Sequence, residues 1–227
     1  MNKRNTLIVL AIALLLNPDS GQAFANLKDQ KKSAKQTAQL EERVYSSIRK
    51  GDVLSSQKLL SKGFDVNTRY MDGETLLMRA VVDGHTDVVK LLIQKGANVN
   101  QNDLFGFTAL GLAVLNNRLI IVQYLLKHKA DVNGMLHGEP PLVLAADKSN
   151  LQMTRLLLAN GASVDDKDRW GNTALIAAVA RGTENIVSLL LGKKANSDIR
   201  NRRGENALSI AEKSGNSSLI LLLKGTR

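Results

Sequence analysis

The sequence predicts an all-α solenoid of about six helix-turn-helix repeats, joined by short β-hairpin-like loops. Three tracks of residues predict it. Leu77, Leu110, Leu142, Leu175 and Leu208 recur at intervals of 33, 32, 33 and 33 residues. Ala80, Ala113, Ala145, Ala178 and Ala211 keep the same spacing, and so do Gly73, Gly106, Gly138, Gly171 and Gly204. A shared period of this length marks stacked units that cannot bury their apolar faces alone.

The chain has 227 residues, a formal charge of +10 and no cysteine. The missing cysteine excludes disulfides, thiolate metal sites and a cysteine nucleophile, so packing alone must hold the fold. The basic balance fits nucleic acid, an anionic membrane or an acidic protein, and does not choose among them.

The N-terminus comes first. Lys3 and Arg4 precede an unbroken apolar run from Leu7 to Leu16, Pro18 breaks it, and Ala23-Phe24-Ala25 supplies small residues at an A-x-A spacing. That order is a cleavable export signal over residues 1–25. The run is too short for a membrane span, which needs ~20 residues. No later segment approaches that length. Removing Lys3, Arg4 and Asp19 leaves 29 basic and 20 acidic side chains, a formal +9. Residues 26–37 carry Lys28, Lys31, Lys32 and Lys35 with little apolar, and read as a solvated basic linker.

The repeat domain then occupies 38–227, with units at about 38–70, 71–103, 104–135, 136–168, 169–201 and 202–227. The first is degenerate, yet Leu40, Val44 and Ile48 give one apolar stripe, and Gly51 and Gly63 keep the turn positions. In each later unit a Gly turn is followed by Thr75, Thr108, Pro140 or Thr173, residues suited to a helix start. A short helix carries the Leu and Ala tracks on one face. A polar break such as Asp83-Gly84 or Arg181-Gly182 precedes a second, denser apolar helix. The one short interval has a place: four residues separate Asn133 from Gly138, where five separate Asn67 from Gly73 and Asn100 from Gly106. The deletion falls in a loop, where it is tolerated.

These residues resemble the ankyrin repeat. The stretch Gly73-Glu74-Thr75-Leu76-Leu77-Met78-Arg79-Ala80, then Asp83-Gly84-His85, Val88 to Ile93, and Lys95-Gly96-Ala97-Asn98-Val99-Asn100, carries the likeness. It extends from about residue 38 to the C-terminus. Two departures stand out. The family's first-helix histidine is replaced by Met78, Gly111, Val143, Ile176 and Ser209. The glycine that ends the second helix is Lys129 in the third repeat and Lys194 in the fifth. Those lysines either adopt positive φ, at about 1 kcal/mol each, or their turns take another geometry.

The resemblance implies a protein-binding scaffold, with contacts at the hairpin tips, the end of each first helix and the concave helical face. Carried over by position, that map takes in Met71, Asp72, Glu74, Val82 and Asp83 of the second repeat. It gives Leu104, Phe105, Phe107, Leu115 and Asn116 of the third, and Leu136, His137, Glu139, Asp147 and Lys148 of the fourth. The fifth supplies Arg169, Trp170, Asn172, Ala180 and Arg181, and the sixth Arg202, Arg203, Glu205, Lys213 and Ser214. The candidate binding set is Tyr70, Met71, Leu104, Phe105, Phe107, Leu115, Leu136, His137, Arg169, Trp170, Arg181, Arg202 and Arg203.

Hairpin tips are usually polar, so Leu104, Phe105, Leu136 and Trp170 are expected to stand out as an apolar strip, the composition of an interface core. Tyr70 and Phe107 either join it or pack between hairpins. Arg200, Arg202 and Arg203, with Lys193 and Lys194 nearby, read either as a solvated rim or as a site for an acidic surface. His85, His128 and His137 lie in different repeats without metal-ligand spacing. No phosphate loop or nucleophile elbow occurs. No cofactor, no metal, no small-molecule substrate and no catalysis are expected.

The expected function is therefore a monomeric binder of another exported protein, in the periplasm or secreted, as scaffold, accessory factor or inhibitor. The alternatives are electrostatic binding to membrane or nucleic acid, the latter disfavoured by export, and a secreted effector acting in another cell.

Overall fold

The computed structural model describes residues 20–225, with side chains from residue 28 onward. The apolar run from Leu7 to Leu16, read from sequence as part of an export signal, lies outside the described residues. The chain divides into two units, Met1–Ser46 and Ser47–Arg227.

Helix α1 spans Ser20–Arg49. It takes in the segment read from sequence as a linker. The side chains of residues 28–39 are exposed, as a solvated segment requires, but the backbone is helical. The cause is compositional: between Gly21 and Gly51 there is neither glycine nor proline, and Lys, Gln, Ala, Glu and Leu all favour helix. Among the described residues no helix is long and apolar enough to cross a membrane.

In the second unit the chain alternates short helices. They are α2 (Val53–Leu60), α3 (Leu76–Asp83), α4 (Thr86–Gln94), α5 (Ala109–Leu115), α6 (Leu119–Lys127), α7 (Pro141–Asp147), α8 (Leu151–Ala159), α9 (Ala174–Ala180), α10 (Glu184–Gly192), α11 (Ala207–Ser214) and α12 (Ser217–Lys224). No strand forms among the described residues; pairing is limited to single bridges, Arg69 with Thr75 and Leu136 with Glu139.

Each first helix starts where its cap dictates. The hydroxyls of Thr75, Thr108 and Thr173 accept from the backbone N–H of Met78, Gly111 and Ile176. Pro140 takes the capping place before α7, which opens on Pro141. Asn206 and Ser209 form a reciprocal capping box on α11. Each side-chain cap contributes about 1 kcal/mol.

The first helices α3, α5, α7, α9 and α11 pack side by side, and the second helices form a parallel row behind them. The alanine track lies at the closest approach: Ala80, Ala113, Ala145, Ala178 and Ala211 are at most 1% exposed. A larger side chain there would push neighbouring repeats apart. Between them Leu77, Leu110, Leu142 and Leu175 fill the core, each contributing roughly 1.5–3 kcal/mol by burial.

A second device ties repeat to repeat. Asn67, Asn100, Asn133 and Asp165 each accept the backbone N–H of a residue in the next repeat: Asn98, Asp131, Ser163 and Asn196. Asn67 and Asn100 also donate, to the carbonyls of Gly96 and Lys129. The two unusual lysines do take positive φ, Lys129 at 66° and Lys194 at 62°. His85 is structural: its Nε2 hydrogen-bonds the Arg49 carbonyl at 2.9 Å.

Candidate partner-binding surface

The hairpins that carry the candidate residues are held by short polar side chains at their bases. Asp103 accepts the backbone N–H of Phe105 and Phe107. Asp168 does the same for Trp170 and Asn172, and Asn201 for Arg203 and Glu205. Each turn then closes at its glycine, with φ of 78° at Gly106, 81° at Gly171 and 75° at Gly204. Such side-chain-to-backbone bonds fix a turn without a sheet. In the second repeat Tyr70 holds that place without a short carboxylate or amide side chain; a 3-10 turn at Met71–Gly73 forms there, with the Tyr70 carbonyl accepting the Gly73 N–H and Asp72 at φ 62°.

The shortened fourth loop folds differently. Leu136 and Glu139 exchange both backbone hydrogen bonds at 2.9 Å, with His137 at φ 51° and Gly138 at φ 78° between them. That is a two-residue turn of the type I′ kind. Tip-to-tip backbone bonds join the second and third hairpins, Leu104 N–H to Asp72 carbonyl, and the fifth and sixth, Arg202 N–H to Trp170 carbonyl. Among the described residues none joins the fourth hairpin to either neighbour.

Met71, Leu104, Phe105 and Trp170 stand exposed, Met71 by 88%, and Leu115 is partly exposed at the end of α5. Leu136 is the exception. It was expected at the surface and is buried, only 4% exposed. The physical reason is Gly111: its missing side chain leaves space on α5, and Leu136 folds into it. Phe107 and Tyr70 are half-buried. Phe107 lies between Phe105, 6.1 Å away by ring centroid, and His137, 5.7 Å away. The expected apolar strip is therefore interrupted at the fourth repeat.

Past that interruption the candidate residues converge. Trp170, Arg181, Arg202 and Arg203 line one groove of about 770 Å³ across repeats four to six. Its apolar floor is Val143, Leu144, Ile176, Ala177 and Ile210. These floor residues were absent from the candidate set. A signal for two of them existed: Val143 and Ile176 are the apolar replacements of the first-helix histidine.

The groove's charges are mostly committed. Arg181 makes a two-pronged pair with Asp147 through Nε at 3.0 Å and Nη2 at 3.1 Å. Arg169 lies over the Trp170 ring at 4.5 Å and binds Glu139 at 2.9 Å. This cation stacking holds the indole in place and adds about 0.5–1 kcal/mol at an exposed site. Lys213 pairs with Glu205 at 3.2 Å. That ammonium, with a hydrogen bond from Asn201, holds the Glu205 carboxyl below its usual value.

The sequence profile for ankyrin repeats (3 copies) matches residues 45–135 and 142–227. The chain belongs to the ankyrin-repeat family. Among solved structures, it is similar to a chain from the complex of a predatory endopeptidase of Bdellovibrio bacteriovorus with an immunity protein. The identity is 28% and the TM-score 0.71, over 82% of this chain and 98% of that one. It is also similar to an ankyrin repeat domain from Acinetobacter baumannii, at 26% identity and TM-score 0.78, again over 82% of this chain and 98% of that one. No curated protein sequence matches significantly. Ankyrin repeats are protein-interaction modules, so the groove and the exposed tips are read as protein-binding surface.

Proposed function

We propose that this ankyrin array is an exported binding protein that covers a functional surface of another exported protein, as an inhibitor or immunity-type factor does. The observation that carries the reading is the groove across repeats four to six. It has an apolar floor, one exposed tryptophan and an arginine-rich rim, the composition of an interface hot spot. Its carboxylates are tied up in ion pairs and turn hydrogen bonds, which suits recognition rather than acid–base turnover. The similarity to a chain from an endopeptidase–immunity protein complex supports a masking role. The order Lys3-Arg4, Leu7 to Leu16, Ala23-Phe24-Ala25 supports export to the periplasm.

The test is cross-linking of the tagged full chain in intact cells, followed by fractionation into cytoplasm, periplasm and medium. A single cross-linked protein in the periplasmic fraction, lost in Trp170→Ala, is the expected result. A chain found only in the cytoplasm, or cross-links indifferent to Trp170→Ala, would sink the reading. Capture that vanishes between low and physiological salt would instead indicate an electrostatic binder of anionic surfaces.

A further inference from the structure

The charge balance inside the groove points to the chemistry of the partner. Each carboxylate lining it already has its donor. Glu139 has Arg169, Asp147 has Arg181, and Glu205 has Lys213. Asp168 accepts the backbone N–H of Trp170 at 2.8 Å and of Asn172 at 2.7 Å, and the Asn172 amide at 3.0 Å. The cations are not balanced in the same way. Arg202 and Arg203 line the groove, and neither forms an ion pair among the described residues. Arg203 exerts only a minor through-space pull on Glu205.

Arg202 and Arg203 are exposed on one hairpin and line the same groove as Trp170 and the apolar floor. The hairpin is anchored by the Arg202 N–H bond to the Trp170 carbonyl at 2.9 Å and by Asn201. The indole and the two guanidinia are thus presented from a fixed backbone. A guanidinium offers planar paired donors that match a carboxylate.

We infer that the groove receives a protein segment with a large apolar side chain on the floor, against Trp170, and an Asp or Glu within about three residues that pairs with Arg202 and Arg203. This rests on the groove being the docking face, as proposed above. Bringing a partner carboxylate to two uncompensated guanidinia gains attraction without breaking an existing pair, whereas a cationic segment would meet repulsion at the rim.

The probe is a random dodecapeptide library displayed on phage and panned against the chain purified from its exporting host. One enriched peptide is then labelled with fluorescein, and its Kd measured by polarisation. Enriched sequences are expected to share an acidic residue near a large apolar one. Arg202→Glu with Arg203→Glu should weaken binding at least about tenfold, and Trp170→Ala by a similar factor. Lys193→Glu with Lys194→Glu makes the same change in net charge away from the groove and should leave Kd within about threefold.

Enriched peptides without carboxylates, or equal weakening by both charge reversals, would overturn the acidic partner. The groove would still stand if Trp170→Ala abolishes binding. Binding that survives both groove variants but fails in Phe105→Ala would remove the groove itself. Failure to enrich any peptide would overturn the segment, leaving the cellular cross-link to decide the docking face.

Discussion

Leu136 packs where Gly111 has no side chain: a Cβ placed on Gly111 would come within 2.9 Å of the Leu136 Cβ. The two residues belong to different repeats, so this fit joins the third to the fourth. Gly111→Ala should cost about 1–3 kcal/mol by overpacking. Leu136→Ala should cost about 2–4 kcal/mol by leaving a void. The double variant should cost somewhat less than the sum: Leu136→Ala removes the Cδ1 that a Gly111 Cβ would meet at 3.1 Å, though the Cβ contact at 2.9 Å remains. Urea denaturation of the four proteins measures this, and additive costs would show that the two side chains do not share one space.

The left-handed lysines should be replaceable with gain. Lys129 and Lys194 hold φ of 66° and 62°, where Gly63, Gly96 and Gly161 serve in the other repeats. Lys129→Gly and Lys194→Gly should each stabilise the fold by about 1 kcal/mol. Thermal melting resolves it, and a lowered Tm would mean the side chains contribute contacts that outweigh the strain.

The side chains that cross between repeats allow a finer test. Asn100 both accepts from Asp131 and donates to the Lys129 carbonyl, whereas Asp165 can only accept from Asn196. Asn100→Asp should lose one hydrogen bond and about 1 kcal/mol. Asp165→Asn restores the missing donor, aimed at the Lys194 carbonyl, and should stabilise by a comparable amount. Opposite signs from reciprocal substitutions are the expected signature; equal signs would refute the arrangement.

The Glu205–Lys213 pair predicts a pH response. Glu205 lies below its ordinary 4.5, first because of Lys213 and then because of Asn201. A lowered folded-state value means the contribution is present above about 4.5 and is lost as pH falls through the folded value. Lys213→Met should return the Glu205 titration toward 4.5, read by side-chain carboxyl carbon shifts. Asp52, held low by Ser55 at the start of α2, should not move. A Glu205 titration unchanged in Lys213→Met would discard the pair as the cause.

Much of this was legible in the chain because it repeats. One period placed the Leu, Ala and Gly tracks in units two to six, and the structure buries the whole Ala track and the Leu track up to Leu175, with Leu208 of the last unit half-buried. The lysines at 129 and 194 were visible as exceptions for the same reason. Leu136 was misplaced because its burial depends on a partner 25 positions earlier, on another helix, whose relevant property is an absent side chain. Residues 26–37 were read as linker from their charge, which says where side chains point but not whether the backbone coils. The groove was half legible: Trp170, Arg202 and Arg203 followed from tip positions and Arg181 from the end of a first helix, while its floor comes from small and branched residues that also serve the core.

The break in the line of hairpins has a consequence for how the molecule would respond when occupied. Repeats two and three are laced at their tips by a backbone hydrogen bond, and so are five and six, but among the described residues no such backbone bond joins the fourth hairpin to a neighbour. In the row of second helices, α6 and α8 also approach each other least. A one-dimensional array unfolds in pieces where the coupling between neighbours is weakest. A ligand in the groove would therefore shield amides from solvent exchange in repeats four to six first. The protection would reach repeats two and three only through the seam between the third and fourth repeats, where α5 packs on α7, Asn133 accepts the Ser163 N–H and Leu136 fills the space at Gly111.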